Sequence, residues 1–284
     1  MNQTKSIYEV GDEMKKERVD VLAFNQGLFE TREKAKRGVM AGQVYDQKNE
    51  RLDKPGEKIP VETILQVKGQ SLAYVSRGGL KLEKALKQFD VDIRQKILLD
   101  IGSSTGGFTD VALQNGATLS YALDVGYNQL AWKLRQDERV VVMERTNFRY
   151  SKLADFDRGQ PNFATIDVSF ISLRLILPPL HDILTEDGDV VALIKPQFEA
   201  GKEFVGKKGI IKDPKIHLMV LKEITDFAVE HGFDVRELTF SPITGGEGNI
   251  EFLAHLKKVP EKGHLNPEIE LAAVVSEAHQ QLAK

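Results

Sequence analysis

The sequence predicts an α/β fold built on a doubly wound, mostly parallel sheet, and three observations predict it. First, the apolar run Ile97-Leu98-Leu99-Asp100-Ile101 passes through Gly102-Ser103-Ser104-Thr105-Gly106-Gly107 into a helical pattern that ends before Gly116. A strand feeding a glycine-rich turn and then a helix is the ligand-binding corner of such sheets. Second, the next apolar run, Leu119 to Val125, ends around Asp124. That acid follows Gly102 by about twenty residues, the separation at which a carboxylate meets the ribose hydroxyls of a bound nucleoside, although nucleotide-free α/β folds show it too. Third, the β-type runs Val140 to Glu144, Phe163 to Val168 and Val190 to Pro196 alternate with helical stretches. Strands separated by helices imply parallel pairing with crossover connections.

At 284 residues the chain has room for one full α/β domain and a smaller one. No apolar run reaches the eighteen or so residues needed to span a bilayer, and no signal-peptide pattern opens the chain. Cysteine is absent, which removes disulfides, thiolate metal sites and a cysteine nucleophile. A reducing, cytoplasmic setting is consistent with that composition. The net charge of −3 gives no global sign of nucleic-acid binding, but between Lys15 and Val75 twelve Lys/Arg stand against nine Asp/Glu.

Taken in order, residues 1–14 are polar and aperiodic and are expected to be a loosely held extension. Val19, Leu22 and Ala23 suggest a short helix closed by Gly27, and Thr31 can cap a second one, Arg32 to Met40, ended by Gly42. On that helix Arg32 and Lys36 share a face, with Lys34 and Arg37 beside them, while Ala35 and Val39 point the other way. Gly42 to Asp46 and Lys58 to Val61 read as β elements around a Pro55-Gly56 turn. Gly78-Gly79 then bends the chain, and Leu80 to Phe89 has amphipathic helical spacing. Far along, Phe233 to Phe240 and Ile250 to Leu256 are separated by a glycine loop, so an antiparallel edge pair is expected. Pro267 to Ala283 reads as a closing helix that buries Ile269, Ala272, Ala273, Val275 and Ala278.

Residues 15–75 resemble an S4 RNA-binding domain through Glu17-Arg18-Val19-Asp20-Val21-Leu22, Thr31-Arg32-Glu33-Lys34-Ala35 and Ala41-Gly42-Gln43-Val44. The resemblance implies phosphate contacts from Arg18, Arg32, Lys34, Lys36 and Arg37. Scarce aromatics imply recognition by shape and backbone rather than by base stacking. The basic loop after Lys195, with Lys202, Lys207 and Lys208, is a second candidate for RNA contact, rivalled by ordinary loop solvation.

The turn after Asp100 is not spelled G-x-G-x-x-G; it looks like the S-adenosylmethionine (SAM) loop of class I methyltransferases. Asp100, Gly102, Ser103, Ser104, Gly106, Gly107, Asp124, Asn147 and Asp167 are the expected cofactor-binding residues, with Asn147 in a polar turn suited to the adenine side. Lys81, Asp167, Lys195 and Glu251 lie at element ends, where a sheet of this class gathers its active site. Charges that end apolar strands are costly unless paired or working. In chain order the four resemble the Lys-Asp-Lys-Glu set of FtsJ-type ribose 2′-O-methyltransferases.

The chain as a whole is similar to the TlyA (hemolysin A) family. The matching stretches are Val75-Ser76-Arg77-Gly78-Gly79-Leu80-Lys81-Leu82, Asp100 to Asp110, Asp167-Val168-Ser169-Phe170-Ile171-Ser172 and Lys195-Pro196-Gln197-Phe198-Glu199-Ala200-Gly201. The resemblance implies a class I, Rossmann-like methyltransferase domain at 76–284 and SAM-dependent methylation of cytidine 2′-hydroxyls in 16S or 23S ribosomal RNA. A ribose hydroxyl is a weak acid, so attack on a sulfonium methyl needs its proton removed or its oxyanion stabilised. Lys195 is the expected base, Lys81 the cation that lowers its pKa and holds the oxyanion, Asp167 the residue that orients Lys195, and Glu251 the residue that holds Lys81 or the ribose. No metal is required.

Other acceptors fit less well. Methylation at pyrimidine C5 normally uses a cysteine, and exocyclic-amine enzymes carry Asn/Asp-Pro-Pro-aromatic where this chain has Asp167-Val168-Ser169-Phe170. The competing functions are an RNA-binding regulator with an inert methyltransferase-like domain, a pore-forming toxin as the hemolysin label suggests, and a nicotinamide oxidoreductase. The loop spelling disfavours the last.

Overall fold

Val19, Leu22 and Ala23 in one stretch, and Ala35 and Val39 in the next, fall three or four apart on one face, and both stretches become helices. A computed structural model describes residues 15–68, 73–206 and 208–282. The expected N-terminal extension and Lys207 lie outside the described residues. The chain divides into two compact units, Met1–Ala73 and Tyr74–Lys284.

The first unit runs β1 (Lys16–Arg18), α1 (Val19–Asn25), α2 (Arg32–Met40), β2 (Val44–Asp46), β3 (Lys58–Pro60) and β4 (Leu65–Val67). Gly27, at φ +73°, takes the left-handed turn beyond α1, and the Thr31 hydroxyl accepts the Lys34 N–H at 3.1 Å to cap α2. The buried apolar residues of both helices close on Val44 and Leu65 as one small core. The strands on either side of the Pro55-Gly56 turn do not pair with each other: β2 pairs with β4, and β3 with β1, both antiparallel. β1 and β4 have three residues each, too few to show an alternating pattern in sequence.

The second unit contains α3 (Gly79–Gln88), β5 (Ile97–Ile101), α4 (Gly107–Gln114), β6 (Leu119–Leu123), α5 (Trp132–Arg135), β7 (Val140–Met143), β8 (Phe163–Ile166), α6 (Leu177–Ile183), β9 (Asp189–Ile194), α7 (Pro196–Glu199), α8 (Pro214–Glu230), β10 (Phe233–Phe240), β11 (Phe252–Lys258) and α9 (Leu271–Leu282). Its seven strands are ordered β10-β11-β9-β8-β5-β6-β7. The five from β9 to β7 are parallel, and β11 and β10 join antiparallel at the β9 edge, as the glycine loop between them requires.

Strand residues alternate between two cores. Leu99, Ile101, Ala164, Ile166, Ala192 and Ile194 pack under α6, α8 and α9. Leu98, Phe163, Val191 and Leu193 pack under α3 and α4. Apolar residues on both faces mark a sheet covered on both sides. The chain winds outward from β5 to β7 and then returns to place β8 on the other side of β5, so the switch point lies between the carboxyl ends of β5 and β8. α9 begins at Leu271, later than expected. Its packed stripe is Val275 and Ala278, and Ala272 and Ala273 are exposed.

Candidate active site

The turn after β5 is shaped by the protein's own neighbours. Gly102 has φ +84°, and a Cβ there would stand 2.5 Å from the Asp167 carbonyl oxygen. Gly106, at φ +94°, abuts the side chains of Leu134 and Leu130, and Gly107 lies against Ser76 and the Gly79 backbone. These glycines allow chain to approach chain, the first of them at the switch point itself.

Beyond Gly102 and buried Ser103, exposed Ser104 takes φ +48° and donates its N–H to Asp124 Oδ2 at 2.8 Å; Gly126 N–H donates to Oδ1 at 2.7 Å. The Asp124 carboxylate is therefore held half-buried beside the loop, and each oxygen keeps a lone pair for a further donor. Asn147 is exposed after β7 and caps its own turn by accepting Arg149 N–H at 3.2 Å.

Asp100, expected among the cofactor-binding residues, is engaged by threonines of its own fold. It is 1% exposed, its Oδ2 accepts Thr109 N–H at 3.1 Å and Thr109 Oγ1–H at 2.8 Å, and its Oδ1 accepts Thr165 Oγ1–H at 2.9 Å. Burial pushes its pKa up to about 6 against those hydrogen bonds. Asp100 ties β5 to α4 and β8 and thereby sets the loop.

The four charged residues expected to share a site do meet. Lys81 Nζ, on α3, donates to Asp167 Oδ2 at 3.1 Å and to Glu251 Oε2 at 2.8 Å. Lys195 Nζ, one residue past β9, lies 2.5 Å from Asp167 Oδ1 and donates to Ser169 Oγ at 3.3 Å. Both lysines are 7% exposed and Glu251 2%. Two cations and two carboxylates so arranged compensate the desolvation that each would suffer alone. Burial opposes the Lys81 ammonium, but Asp167 and Glu251 outweigh it and raise its pKa. Burial likewise opposes the Asp167 carboxylate, and Lys195 and Lys81 outweigh it and hold it below the usual range.

Four neighbours were not singled out individually from the sequence. Gln197 donates from Nε2 to Glu251 Oε1 at 3.3 Å, and its buried Oε1 has no partner among the described residues. Phe170 takes φ +63° and is 91% exposed, with its ring 5.0 Å from that of Phe198. A bulky residue in the left-handed region signals a constrained loop. Buried Glu199 accepts Ser172 Oγ–H at 2.5 Å and Leu173 N–H at 2.8 Å, which fastens the segment after β8 to α7. Periodicity is blind to all four, because they stand in loops or in a single helical turn. A cavity of about 470 Å³ opens over the cluster, lined among others by Lys81, Lys195, Ser169, Phe170 and Lys208. Lys202, in a 3-10 turn at Lys202–Phe204, does not line it.

In the first unit the expected RNA-contacting cations are less free than their spacing suggests. Arg18 donates to buried Asp20 through Nε and Nη2, both at 2.9 Å. Arg32 reaches the same carboxylate at 3.7 Å. Lys34 pairs with Glu30, and Arg37 with Glu33 at 3.7 Å, both on the exposed face, where Lys36 is without an ion pair among the described residues.

Residues 74–258 match the family model described as FtsJ-like methyltransferase. The Bacillus subtilis (strain 168) protein named "Putative rRNA methyltransferase YqxC" is 66% identical over 270 residues, covering 94% of this chain and 96% of its own. The 16S/23S rRNA (cytidine-2'-O)-methyltransferase TlyA of Mycobacterium tuberculosis (strain ATCC 25618 / H37Rv) is 40% identical over 246 residues, covering 84% of this chain and 89% of its own. A solved structure titled "Putative hemolysin from Streptococcus thermophilus" superposes with a TM-score of 0.76 at 60% identity, covering 94% of this chain and 97% of that one.

Proposed function

Because the chain belongs to the TlyA family of FtsJ-like methyltransferases, we propose that it methylates a cytidine 2′-hydroxyl in ribosomal RNA with its Lys-Asp-Lys-Glu cluster as the catalytic centre. It is a SAM-dependent enzyme, and the loop chemistry fits that cofactor. The half-buried Asp124 carboxylate keeps acceptor capacity for ribose hydroxyls, beside the exposed Ser104 backbone at the switch point. When bound, SAM supplies an electrophilic methyl group. Gly102, Ser103, Ser104 and Asp124 are the residues that would hold it, with Gly106 and Gly107 shaping their turn and Asn147 at the adenine side.

The observation that carries the reading is that Asp167 bridges two buried lysines. Lys81 is bonded to two carboxylates and stays charged, which suits it to hold a developing oxyanion. Among the described residues Lys195 has only the carboxylate it shares, so the role of general base goes to Lys195, which takes the proton of the 2′-hydroxyl onto Nζ. Asp167 orients Lys195, and Glu251, backed by Gln197, holds Lys81.

Phe170 and Phe198 offer an apolar step beside the lysines on which the target base can rest. The first unit acts as the S4-like RNA-binding domain. Phosphates would replace the exposed Glu30 and Glu33 as partners of Lys34 and Arg37, an exchange of weak surface pairs. A ribosomal substrate implies work in the cytoplasm. Among the described residues no helix is long and apolar enough to cross a membrane, and a lytic role would leave the four-residue cluster without a task.

The test is incubation with tritiated SAM and ribosomal subunits that lack the modification, followed by mapping of the labelled nucleotide. Label on a cytidine ribose supports the reading. Label on a base, or none, overturns it.

A further inference from the structure

A second cavity, of about 500 Å³, adjoins the one over the cluster and shares Arg77, Ile243 and Thr244 with it. Its walls come from the 210–212 segment, the 242–250 loop and the end of α9. Two buried polar residues that the chemistry does not use brace those walls from behind, through Ile211. Asn249, 4% exposed, accepts Ile211 N–H at 3.0 Å and donates to the carbonyls of Gly209 at 2.8 Å and Gly246 at 3.1 Å.

His217, also buried, sits 3.2 Å from the Ile211 carbonyl through Nε2 and 2.9 Å from His279 Nε2 through Nδ1. Burial, reinforced by His279, pulls His217 down to about 4, so its ring is neutral at pH 7. A carbonyl only accepts, so the single ring hydrogen of His217 is assigned to Nε2, and His279 Nε2–H donates to Nδ1. Burial lowers His279 too, against Asp213, and its Nδ1 is left as an acceptor on a residue that lines the cavity.

Among the described residues the lining contains no Asp or Glu. Arg77 and Lys212 stand on it, Lys208 stands on the neighbouring cavity, and none of the three forms an ion pair with another described residue. In a chain of net charge −3, a pocket whose described lining carries unpaired cations and no carboxylate is a local departure that favours an anion. Ile211, Ile243, Ile250 and Leu282 add an apolar wall. Cations for a phosphate, an apolar wall for a base and an acceptor for an amine or hydroxyl together describe one nucleotide, and the volume is in the small-ligand range.

We propose that this second cavity holds the nucleotide flanking the methylated ribose, so that the target RNA lies as a single strand across Arg77 from one cavity to the other. The inference rests on the ribose-methylation reading above and specifies how that substrate is held. Asn249 and His217 keep the groove open before RNA arrives, which spares the cost of ordering its walls on binding.

Initial rates of tritium transfer into ribosomal subunits lacking the modification test it, with wild type, Lys212→Glu, Gln281→Lys and the remote control Lys262→Glu. Lys212→Glu should raise the KM for subunits about tenfold at low salt, and Gln281→Lys should lower it about threefold, both effects shrinking as salt rises. Turnover at saturating subunits and the KM for SAM should stay within about twofold of wild type, since neither residue touches the reacting atoms. Lys212 and Gln281 are exposed, so folding is not at risk. A Lys212→Glu enzyme that behaves like Lys262→Glu, or a Gln281→Lys enzyme with unchanged KM, overturns the groove while leaving the reaction intact. Failure of the wild type to label ribose at all would overturn the reaction itself, and the groove with it.

Discussion

Asp100 lies inside β5, in register with Thr165 of the adjacent parallel β8, and Asp167 follows β8 two residues further along, yet the two acids have opposite surroundings. Asp100 is ringed by the hydroxyls of Thr109 and Thr165 and a backbone amide, with no ion-pair partner among the described residues, and burial raises it to about 6. Asp167 is ringed by Lys81 and Lys195 and is held ionised despite its burial. One acid builds the loop and the other, on the proposed mechanism, serves the reaction. Neighbouring chemistry, not position at a strand end, separates the two.

Four experiments can break or sharpen that contrast. The largest effect is expected from Lys195→Ala: a loss of ~10³-fold or more in methyl transfer, as for removal of a general base. Calorimetric SAM affinity should remain near wild type, and retained turnover would remove the assignment.

Next come the paired substitutions Asp167→Asn and Asp100→Asn. The first leaves two buried ammoniums facing one carboxylate and should cost about 3–5 kcal/mol of stability along with ~10²-fold or more of activity. The second can be accommodated, because an amide can accept from Thr109 and donate to Thr165 Oγ1, so activity should stay within about tenfold. Equal losses in both would erase the distinction.

Third is the pH dependence of stability. A carboxyl raised in the folded state from 3.8 to about 6 makes the native protein bind the extra proton between those values, so its contribution is present at low pH and lost as pH rises through about 6. About two pKa units correspond to ~3 kcal/mol, and denaturant unfolding of wild type and Asp100→Asn at pH 4 and pH 7 should differ by that order. Asp167 has the opposite sign: its contribution is present above the ordinary carboxylate range and is lost as pH falls below it.

Smallest is Phe170→Ala, on the same segment as Asp167. Its ring is almost wholly exposed, so the melting temperature should hold, while efficiency toward ribosomal subunits drops about tenfold if a base stacks there. A lowered melting temperature with full efficiency would make the residue structural.

Much of the second unit was legible in the sequence. Strand runs such as Phe163 to Val168 and Val190 to Pro196 announce themselves by composition, and the turn at Gly102 by its glycines. Legibility failed where short elements or long-range contacts decided. The three-residue strands β1 and β4 carry too few side chains for a pattern. The basic face of α2 reads as open charge, because Glu30 and Glu33 count as partners only when the helix places them at contact distance. Arg18 reads as a free cation, and only the fold shows that it also bonds buried Asp20. The glycines of the SAM loop read as room for a ligand, whereas at Gly102 the close neighbour is the Asp167 carbonyl.

The sequence by itself determined the order of strands and helices, the glycine corner and the identities of the four charged residues, because these follow from spacing between near neighbours along the chain. Tertiary structure alone decided that Glu251 meets Lys81 across 170 positions, that Asp100 is insulated by threonines, and that Asn249 and His217 brace the Ile211 wall of a second cavity. The physical reason is the strand order. Inserting β11 between β9 and β10 and placing β8 beside β5 brings distant segments to one edge of the sheet, and whether a side chain there finds a cation, a hydroxyl or an open cavity is settled by that arrangement.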